Sequence, residues 1–154
     1  MTFHNMLDSY TERTRDWLKD VMQELAWDSE NRAMYALRAV LQAVRDWSAF
    51  DDAVEFGGHL PVVIRGLYYE GWKPYRKATP IHRTEEFLAT VRHYFPGDPG
   101  TEIENVARAV FSVLERRTVD GEIEDVRHLL PGEIDALWPE TVTSSATMRS
   151  LPPL

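Results

Sequence analysis

The chain has 154 residues, of which 44% are hydrophobic, and it carries a formal net charge of -8. This composition is typical of a globular protein, and the negative charge argues against binding to nucleic acid or to an anionic membrane, because both attract clustered Lys and Arg. The sequence contains no cysteine, which excludes disulfides, thiolate nucleophiles and Cys-containing zinc sites.

The N-terminal region predicts an amphipathic helix. Its apolar residues from Trp17 to Leu25 recur with a period near 3.6 residues, and those from Met6 to Tyr10 extend the stripe upstream. Ser9 and Glu12 have the spacing of a capping box. No signal-peptide pattern precedes this helix, and no run of about 18 apolar residues occurs in the chain. We therefore expect a cytoplasmic protein.

The next predicted helix has the most regular pattern. From Ala33 to Trp47, apolar residues lie at i, i+3, i+4, i+7 and i+8, the spacing of a helix with a buried side. Asp28 or Ser29 is a suitable N-cap. We predict that this is the central core helix of its half of the chain.

A short amphipathic segment over residues 51–58 ends shortly before Pro61. Because proline is tolerated in the first turn of a helix, Pro61 indicates a last short helix that carries Ile64 and Leu67. An aromatic stretch and a basic, proline-containing run follow it over residues 68–83.

The second half repeats the first at an offset of 70 residues. The ungapped alignment of residues 14–69 with 84–139 contains eleven identities, whereas chance would give about three or four. Thr84, and the pair Thr101 and Glu104, predict the starts of its two longer helices. The identical pairs are Thr14/Thr84, Leu18/Leu88, Val21/Val91, Asp28/Asp98, Arg38/Arg108, Ala39/Ala109, Val40/Val110, Leu60/Leu130, Pro61/Pro131, Ile64/Ile134 and Leu67/Leu137.

These patterns predict an all-α fold, an internally duplicated helical bundle in which two similar helical halves share one core. We expect a single domain over residues 1–139, made of repeats at about 10–72 and 84–139 that are joined by a linker at 73–83. Residues 140–154 are rich in Ser, Thr and Pro and lack periodicity, so we expect a flexible C-terminal tail.

The aromatic stretch and the cations after it form the candidate interaction surface. One hypothesis is structural: the aromatic side chains pack the first half against the second. The other is recognition: rigid aromatic side chains anchor a partner, and the cations hold an anionic group. The surface consists of Arg65, Tyr68, Tyr69, Glu70, Trp72, Lys73, Tyr75, Arg76 and Lys77.

Two repeated arginines, Arg38 and Arg108, form a second candidate site. If the halves are related by a two-fold axis, these side chains are placed to converge on one anion. The alternative is that each arginine covers its own helix and pairs with a nearby acid.

No catalytic motif is present, and carboxylate pairs are what any acidic helix surface supplies. The pairs Glu55/His59 and Asp125/His128 have helical spacing, but their histidines are not at equivalent repeat positions. We therefore predict no catalytic residue, no metal site and no cofactor.

Three segments carry a family resemblance: ALRAVLQAVRD, HLPVVIRGLYYEGWKP and GEIEDVRHLLPGEIDALWP. Together they resemble the bacterial family DUF2267 over roughly residues 10–139, and the stretch from Leu60 to Trp72 is the most specific part. The resemblance implies a small all-helical protein and supplies no activity, cofactor or catalytic residue.

We expect a non-catalytic protein-interaction or regulatory accessory protein, whose partner is another protein or a second copy in a homodimer. The alternative is a small-ligand sensor with a pocket between the halves, and an enzyme is the third option.

Overall fold

The computed structural model describes residues 2–76, 83–95, 97–118, 122–130 and 132–139. The regular secondary structure of these ranges is entirely helical, so the predicted all-α class is confirmed. The predicted tail, residues 140–154, and most of the predicted linker lie outside the described residues. The helices are α1 (Phe3–Leu25), α2 (Glu30–Trp47), α3 (Phe50–Gly57), α4 (Val62–Tyr69), α5 (Thr84–Tyr94), α6 (Ile103–Arg117), α7 (Glu122–Leu129) and a 3₁₀ helix (Gly132–Leu137).

The first helix, α1, starts further upstream than its capping-box pattern predicts. The Oγ1 atom of Thr2 accepts a hydrogen bond from the backbone N–H of Asn5, at 3.2 Å, and so caps the helix. The box at Ser9 and Glu12 is wrong because both residues lie inside α1. At the other end, Ala26 adopts the left-handed conformation, with a φ of 54°, and terminates the helix.

Of the other predicted caps, one is confirmed and two are wrong. Ser29 Oγ accepts a hydrogen bond from the backbone N–H of Arg32, at 3.1 Å, and starts α2. The Thr84 hydroxyl instead donates to the carbonyl oxygen of Glu133, at 2.9 Å. The Thr101 hydroxyl accepts from the Arg32 guanidinium, at 2.7 Å, and α6 begins two residues later. Thr101 therefore links the two halves of the chain, Thr84 links α5 to the 3₁₀ helix, and neither caps a helix.

The centre of the bundle is α2, which packs against α1, α4, α5 and α6. Its buried residues surround the whole helix, including Leu37, Ala39 and Val40 in one turn. A helix that is buried on all sides needs small or apolar residues around its circumference, and the alanines of α2 meet this need. The predicted central helix is confirmed, and it is buried on more sides than its stripe indicates.

Buried hydrophobic side chains form one cluster that extends from Trp17 in α1 to Trp138 after the 3₁₀ helix. Polar contacts add links between helices: Trp47 Nε1 donates to Thr90 Oγ1 at 2.8 Å and joins α2 to α5. None of the described helices is long and apolar enough to cross a membrane.

Candidate functional site

A buried arginine in the last turn of α2 organises the most distinctive surface of the molecule. Arg45 is only 3% exposed, and its Nη1 atom donates to the carbonyl oxygens of Tyr68, at 3.0 Å, and Glu70, at 2.9 Å. The last carbonyls of a helix have no partner within that helix. Arg45 therefore satisfies two of these groups and fixes the end of α4 against α2.

Two more hydrogen bonds hold the same segment from other directions. Gln42, one turn earlier on α2, donates from Nε2 to the carbonyl oxygen of Leu67 at 2.9 Å. The Tyr68 hydroxyl, which is fully buried, donates to the carbonyl oxygen of Ala53 in α3 at 2.6 Å. The end of α4 is thus attached to both α2 and α3.

After α4 the chain turns at Gly71, and the rings of Phe50, Tyr69 and Trp72 pack together as an aromatic wall. Gly71 has a φ of 73°, which is in the left-handed region that favours glycine. The turn brings the ring of Trp72 onto Phe50, with centroids 5.5 Å apart and an interplanar angle of 17°, and within 5.6 Å of Tyr69. The two stacked rings, Phe50 and Trp72, belong to segments more than 20 residues apart.

This wall borders a cleft of about 710 Å³. The cleft is lined by the end of α2, the start of α3, residues 71–76 and Tyr94 from α5. The Tyr94 hydroxyl donates to the carboxylate of Asp46, and Arg45 Nε donates to the other oxygen of that carboxylate at 2.9 Å. The floor of the cleft is therefore a closed network of Arg45, Asp46 and Tyr94.

Two tyrosine hydroxyls near the cleft are held in their neutral form. Burial, and to a smaller extent the neighbouring Tyr69, raise the pKa of Tyr68 above its ordinary value. Burial and the hydrogen bond to Asp46 raise the pKa of Tyr94. Both hydroxyls therefore keep their protons to a higher pH than an ordinary tyrosine does.

The predicted interaction surface divides into residues that line the cleft, residues of α4, and Lys77. Trp72, Lys73, Tyr75 and Arg76 line the cleft, and Tyr75 is 79% exposed. Lys77 lies outside the described residues.

The residues on α4 are mainly engaged elsewhere. Tyr68 is buried, and Tyr69 is half-buried with its hydroxyl 3.2 Å from the carbonyl oxygen of Val54, to which it donates. Arg65 donates to the carbonyl oxygens of Gly57, at 2.9 Å, and Leu60, at 2.8 Å, and so caps the end of α3 away from the cleft.

The structural hypothesis places the aromatic side chains between the two halves of the chain, whereas their contacts lie within the first half. Tyr68, Tyr69 and Trp72 make their hydrogen bonds and ring contacts with α3 and with each other, within the first half. At this site the contact with α5 is made through Asp46 and Tyr94. The aromatic stretch therefore packs the first half internally and leaves one face of the wall on the cleft.

The two repeated arginines contact different groups. The Nη1 atom of Arg38 lies 3.9 Å from Glu70, and its guanidinium lies 4.9 Å from the ring centre of Tyr35. Arg108 pairs with Glu104 at 2.9 Å and donates to the carbonyl oxygen of Ala136 at 2.8 Å. These contacts fit the alternative of pairing with a nearby acid, and convergence on one anion stays a prediction.

The predicted surface does not include the side chains that form the floor and the far side of the cleft, which are Arg45, Asp46, Phe50 and Tyr94. A signal was present in the repeat alignment, because Arg45 aligns with Glu115 and thus differs in charge between the halves. A charge that is reversed between aligned positions indicates a role particular to one half of the chain.

Within the described ranges, no three His, Asp or Glu residues converge closely enough to hold a metal ion. Of the two acid and histidine pairs noted in the sequence, Glu55 lies at the end of α3 with His59 after it, and Asp125 and His128 lie on α7, a helix that packs against α3.

The fold and the site define a small all-α protein with an aromatic cleft fixed by internal hydrogen bonds. The model of a family described as uncharacterized conserved protein (DUF2267) matches residues 14–137, and this range includes every residue that lines the cleft. The chain therefore belongs to the DUF2267 family, as its sequence resemblance predicts. A comparison with curated proteins gave no match.

Replacing Arg45 by Met tests the role of the buried arginine. We expect a loss of about 2–4 kcal/mol in the free energy of unfolding, because the substitution removes the buried donor that bonds to the Tyr68 and Glu70 carbonyls and to one oxygen of the Asp46 carboxylate. Urea denaturation measures this loss. The control, Arg108→Met, removes a half-exposed arginine that pairs with Glu104 and donates to the Ala136 carbonyl, and it should cost less than about 1 kcal/mol because these bonds compete with water; equal losses in the two variants would contradict the assigned role.

Gly57 tests the packing behind the wall. A Cβ atom at this position would overlap the Tyr69 hydroxyl and lie 3.0 Å from Cε1 of Tyr68. We expect Gly57→Ala to cost about 1–2 kcal/mol and to alter the near-ultraviolet circular dichroism of the aromatic wall. Gly66→Ala is the matched control: it meets no atom within 4 Å and should stabilise α4 by up to about 1 kcal/mol. Equal effects would show that Tyr69 is not held by Gly57.

The raised pKa of Tyr68 predicts a loss of stability in alkali. Above about pH 10 the unfolded tyrosine loses its proton while the folded one retains it. The unfolded state then binds fewer protons, so the free energy of unfolding falls as the pH rises. Urea denaturation at pH 8 and 11 measures the fall, which should be smaller in Tyr68→Phe. An unchanged pH dependence in the variant would contradict this assignment.

Proposed function

We propose that this protein is a non-catalytic interaction protein, an accessory or regulatory component of the bacterial cytoplasm, whose cleft binds a segment of a partner protein. The observation that carries this proposal is the stacked pair of Phe50 and Trp72 at the mouth of the cleft. Phe50, the first residue of α3, has 55% of its surface exposed. Large aromatic side chains at a surface supply much of the binding energy in protein interfaces.

The attachment of the wall supports the same function. Binding costs entropy when side chains and loops must be ordered at the interface. Here Arg45 and Gln42 hold the backbone that carries Trp72, and Phe50 holds its ring. A partner therefore meets a surface that is already ordered, so less of its contact energy is lost.

The second candidate is a small-ligand sensor with its pocket between the halves. The observation in its favour is that Tyr94, from α5, lines the cleft together with residues of the first half. The cleft volume of about 710 Å³ lies within the range of about 300–1,000 Å³ that is typical of ligand sites. A ligand bound there would contact both halves and could change their relative position.

The chemistry of the cleft favours binding over catalysis. A general base works best when its pKa lies near the operating pH and when it can reach a substrate proton. The Tyr94 hydroxyl has a raised pKa, and the Asp46 carboxylate accepts hydrogen bonds from Arg45 and Tyr94. Both groups are engaged in fixing the floor of the cleft.

We also infer that the two halves arose by internal duplication and form one domain over residues 1–139. Two longer helices followed by two short ones make up each half. The ends of α2 and α6, Trp47 and Arg117, coincide at the offset of 70 residues, and the hydrophobic cluster includes both halves. The last element differs, because α4 is an α-helix and its counterpart is a 3₁₀ helix.

The proposed function is tested by affinity capture from the native host with wild-type protein and with Trp72→Ala and Phe50→Ala. We expect both variants to lose the captured protein, while Trp27→Ala, which removes a half-buried tryptophan elsewhere, retains it. Thermal melts show whether each variant folds, and Phe50→Ala keeps the test informative if Trp72→Ala does not fold. Light scattering identifies a second copy as the partner.

The same eluates separate the two candidates. Recovery of a small molecule that depends on Trp72, in place of a protein, would favour the sensor. Capture that is the same with all variants would refute a binding role for the cleft.

A further inference from the structure

The cleft has a positive lining in a negatively charged protein. The charged residues that line it are Arg45, Asp46, Lys73 and Arg76, while the chain has a formal net charge of -8. Arg45 and Asp46 form an ion pair at 2.9 Å. The remaining charge at the cleft is that of Lys73 and Arg76.

These two cations lie together on one turn. The backbone N–H of Arg76 donates to the carbonyl oxygen of Lys73 at 3.1 Å, which places the two residues at the ends of a four-residue turn. Both are exposed, and in the described part of the chain neither side chain forms an ion pair. They are therefore available to an anionic group of a partner.

The carboxylate in the cleft does not offer a competing site for a cation. Both oxygens of Asp46 already accept hydrogen bonds, one from Arg45 and the other from Tyr94. A cationic ligand would have to break this network or lie next to Arg45. The electrostatics of the cleft thus favour an anion.

The aromatic wall beside the two cations indicates that the occupant of the cleft also carries an apolar group. Lys73 follows Trp72 directly in the chain, and Tyr75 lies between the two cations with 79% of its surface exposed. The stacked rings of Phe50 and Trp72 offer a flat face to a large apolar side chain. An occupant that satisfies both features carries acidic and apolar groups within a few residues.

We infer that the occupant of the cleft is a short acidic peptide segment of a partner protein, with at least one large apolar side chain. The apolar side chain packs on Phe50 and Trp72, and the flanking carboxylates pair with Lys73 and Arg76. The segment must be short, because the rest of this protein repels acidic chains. This inference rests on the proposed function, and it adds the chemistry of the partner.

The test uses two synthetic peptides and the full-length protein. The probe is acetyl-Glu-Glu-Phe-Glu-Glu-amide, and its charge-reversed control has Lys in place of each Glu. Binding is followed by the indole N–H signal of Trp72 in ¹H–¹⁵N correlation spectra, which Trp72→Phe identifies among the signals of the five tryptophans.

We expect the acidic peptide to shift the Trp72 signal and the basic peptide to leave it unchanged. The double variant Lys73→Glu with Arg76→Glu should bind the acidic peptide at least about tenfold more weakly, because two ion pairs become repulsive. Its control, Arg13→Glu with Lys19→Glu, makes the same change in net charge on exposed residues of α1 and should bind as wild type. Raising the salt concentration should weaken binding, since exposed ion pairs are screened.

Three results would overturn the inference: no binding of the acidic peptide to wild type, equal binding of the two peptides, or unchanged binding by the Lys73 and Arg76 variant. Equal binding by a single-stranded oligonucleotide would also overturn it. If capture of a host protein depends on Trp72 but not on the two cations, the proposed function stands and only the acidic partner is refuted. If capture does not depend on Trp72, both are refuted.

Discussion

The geometry of the cleft depends on one buried guanidinium. Arg45 has 3% of its surface exposed, so its charge has lost most of its hydration. Such a group is tolerated only when its donors are satisfied, and here the acceptors are two carbonyl oxygens and a carboxylate. Because these acceptors come from the end of α4 and from α2 itself, the hydration of Arg45 is replaced by contacts that fix the position of residues 68–72.

The same network connects the cleft to the packing of the two halves. Asp46 accepts from Arg45 and from Tyr94, so α2, the end of α4 and α5 meet at one polar cluster. A change in the position of α5 would therefore alter the floor of the cleft. The cleft and the contact between α2 and α5 are parts of one structure, in which the hydrogen-bonded floor supports a partly exposed aromatic wall.

Much of the fold follows from the sequence because it depends on periodic patterns. The stripes of α1, α2 and α6 repeat over several turns, and Ser29 caps α2 as its residue type indicates. Caps at Thr84 and Thr101 are wrong because a hydroxyl near a helix start can also bond to a distant partner, and local sequence does not distinguish these choices.

The site is less predictable than the fold. Tyr75, Trp72 and the cations stand out by composition, so the sequence identifies one side of the cleft. The other side comes from Phe50, Arg45 and Tyr94, which only the packing of α2, α3 and α5 brings near Trp72. The sequence places Tyr68 in the predicted interaction surface, but its whole side chain is buried. Its hydroxyl donates a hydrogen bond to the carbonyl oxygen of Ala53 in α3.

Arg45 and Gln42 hold α4 through main-chain oxygen atoms alone. Every residue type supplies a carbonyl oxygen, so the exposed side chains at positions 73 to 76 can be exchanged without removing the anchor that positions them. The exposed side chains after Trp72 can therefore change while the hydrogen bonds beneath them stay the same. The exposed edge of the cleft can accordingly be redesigned at little cost to folding.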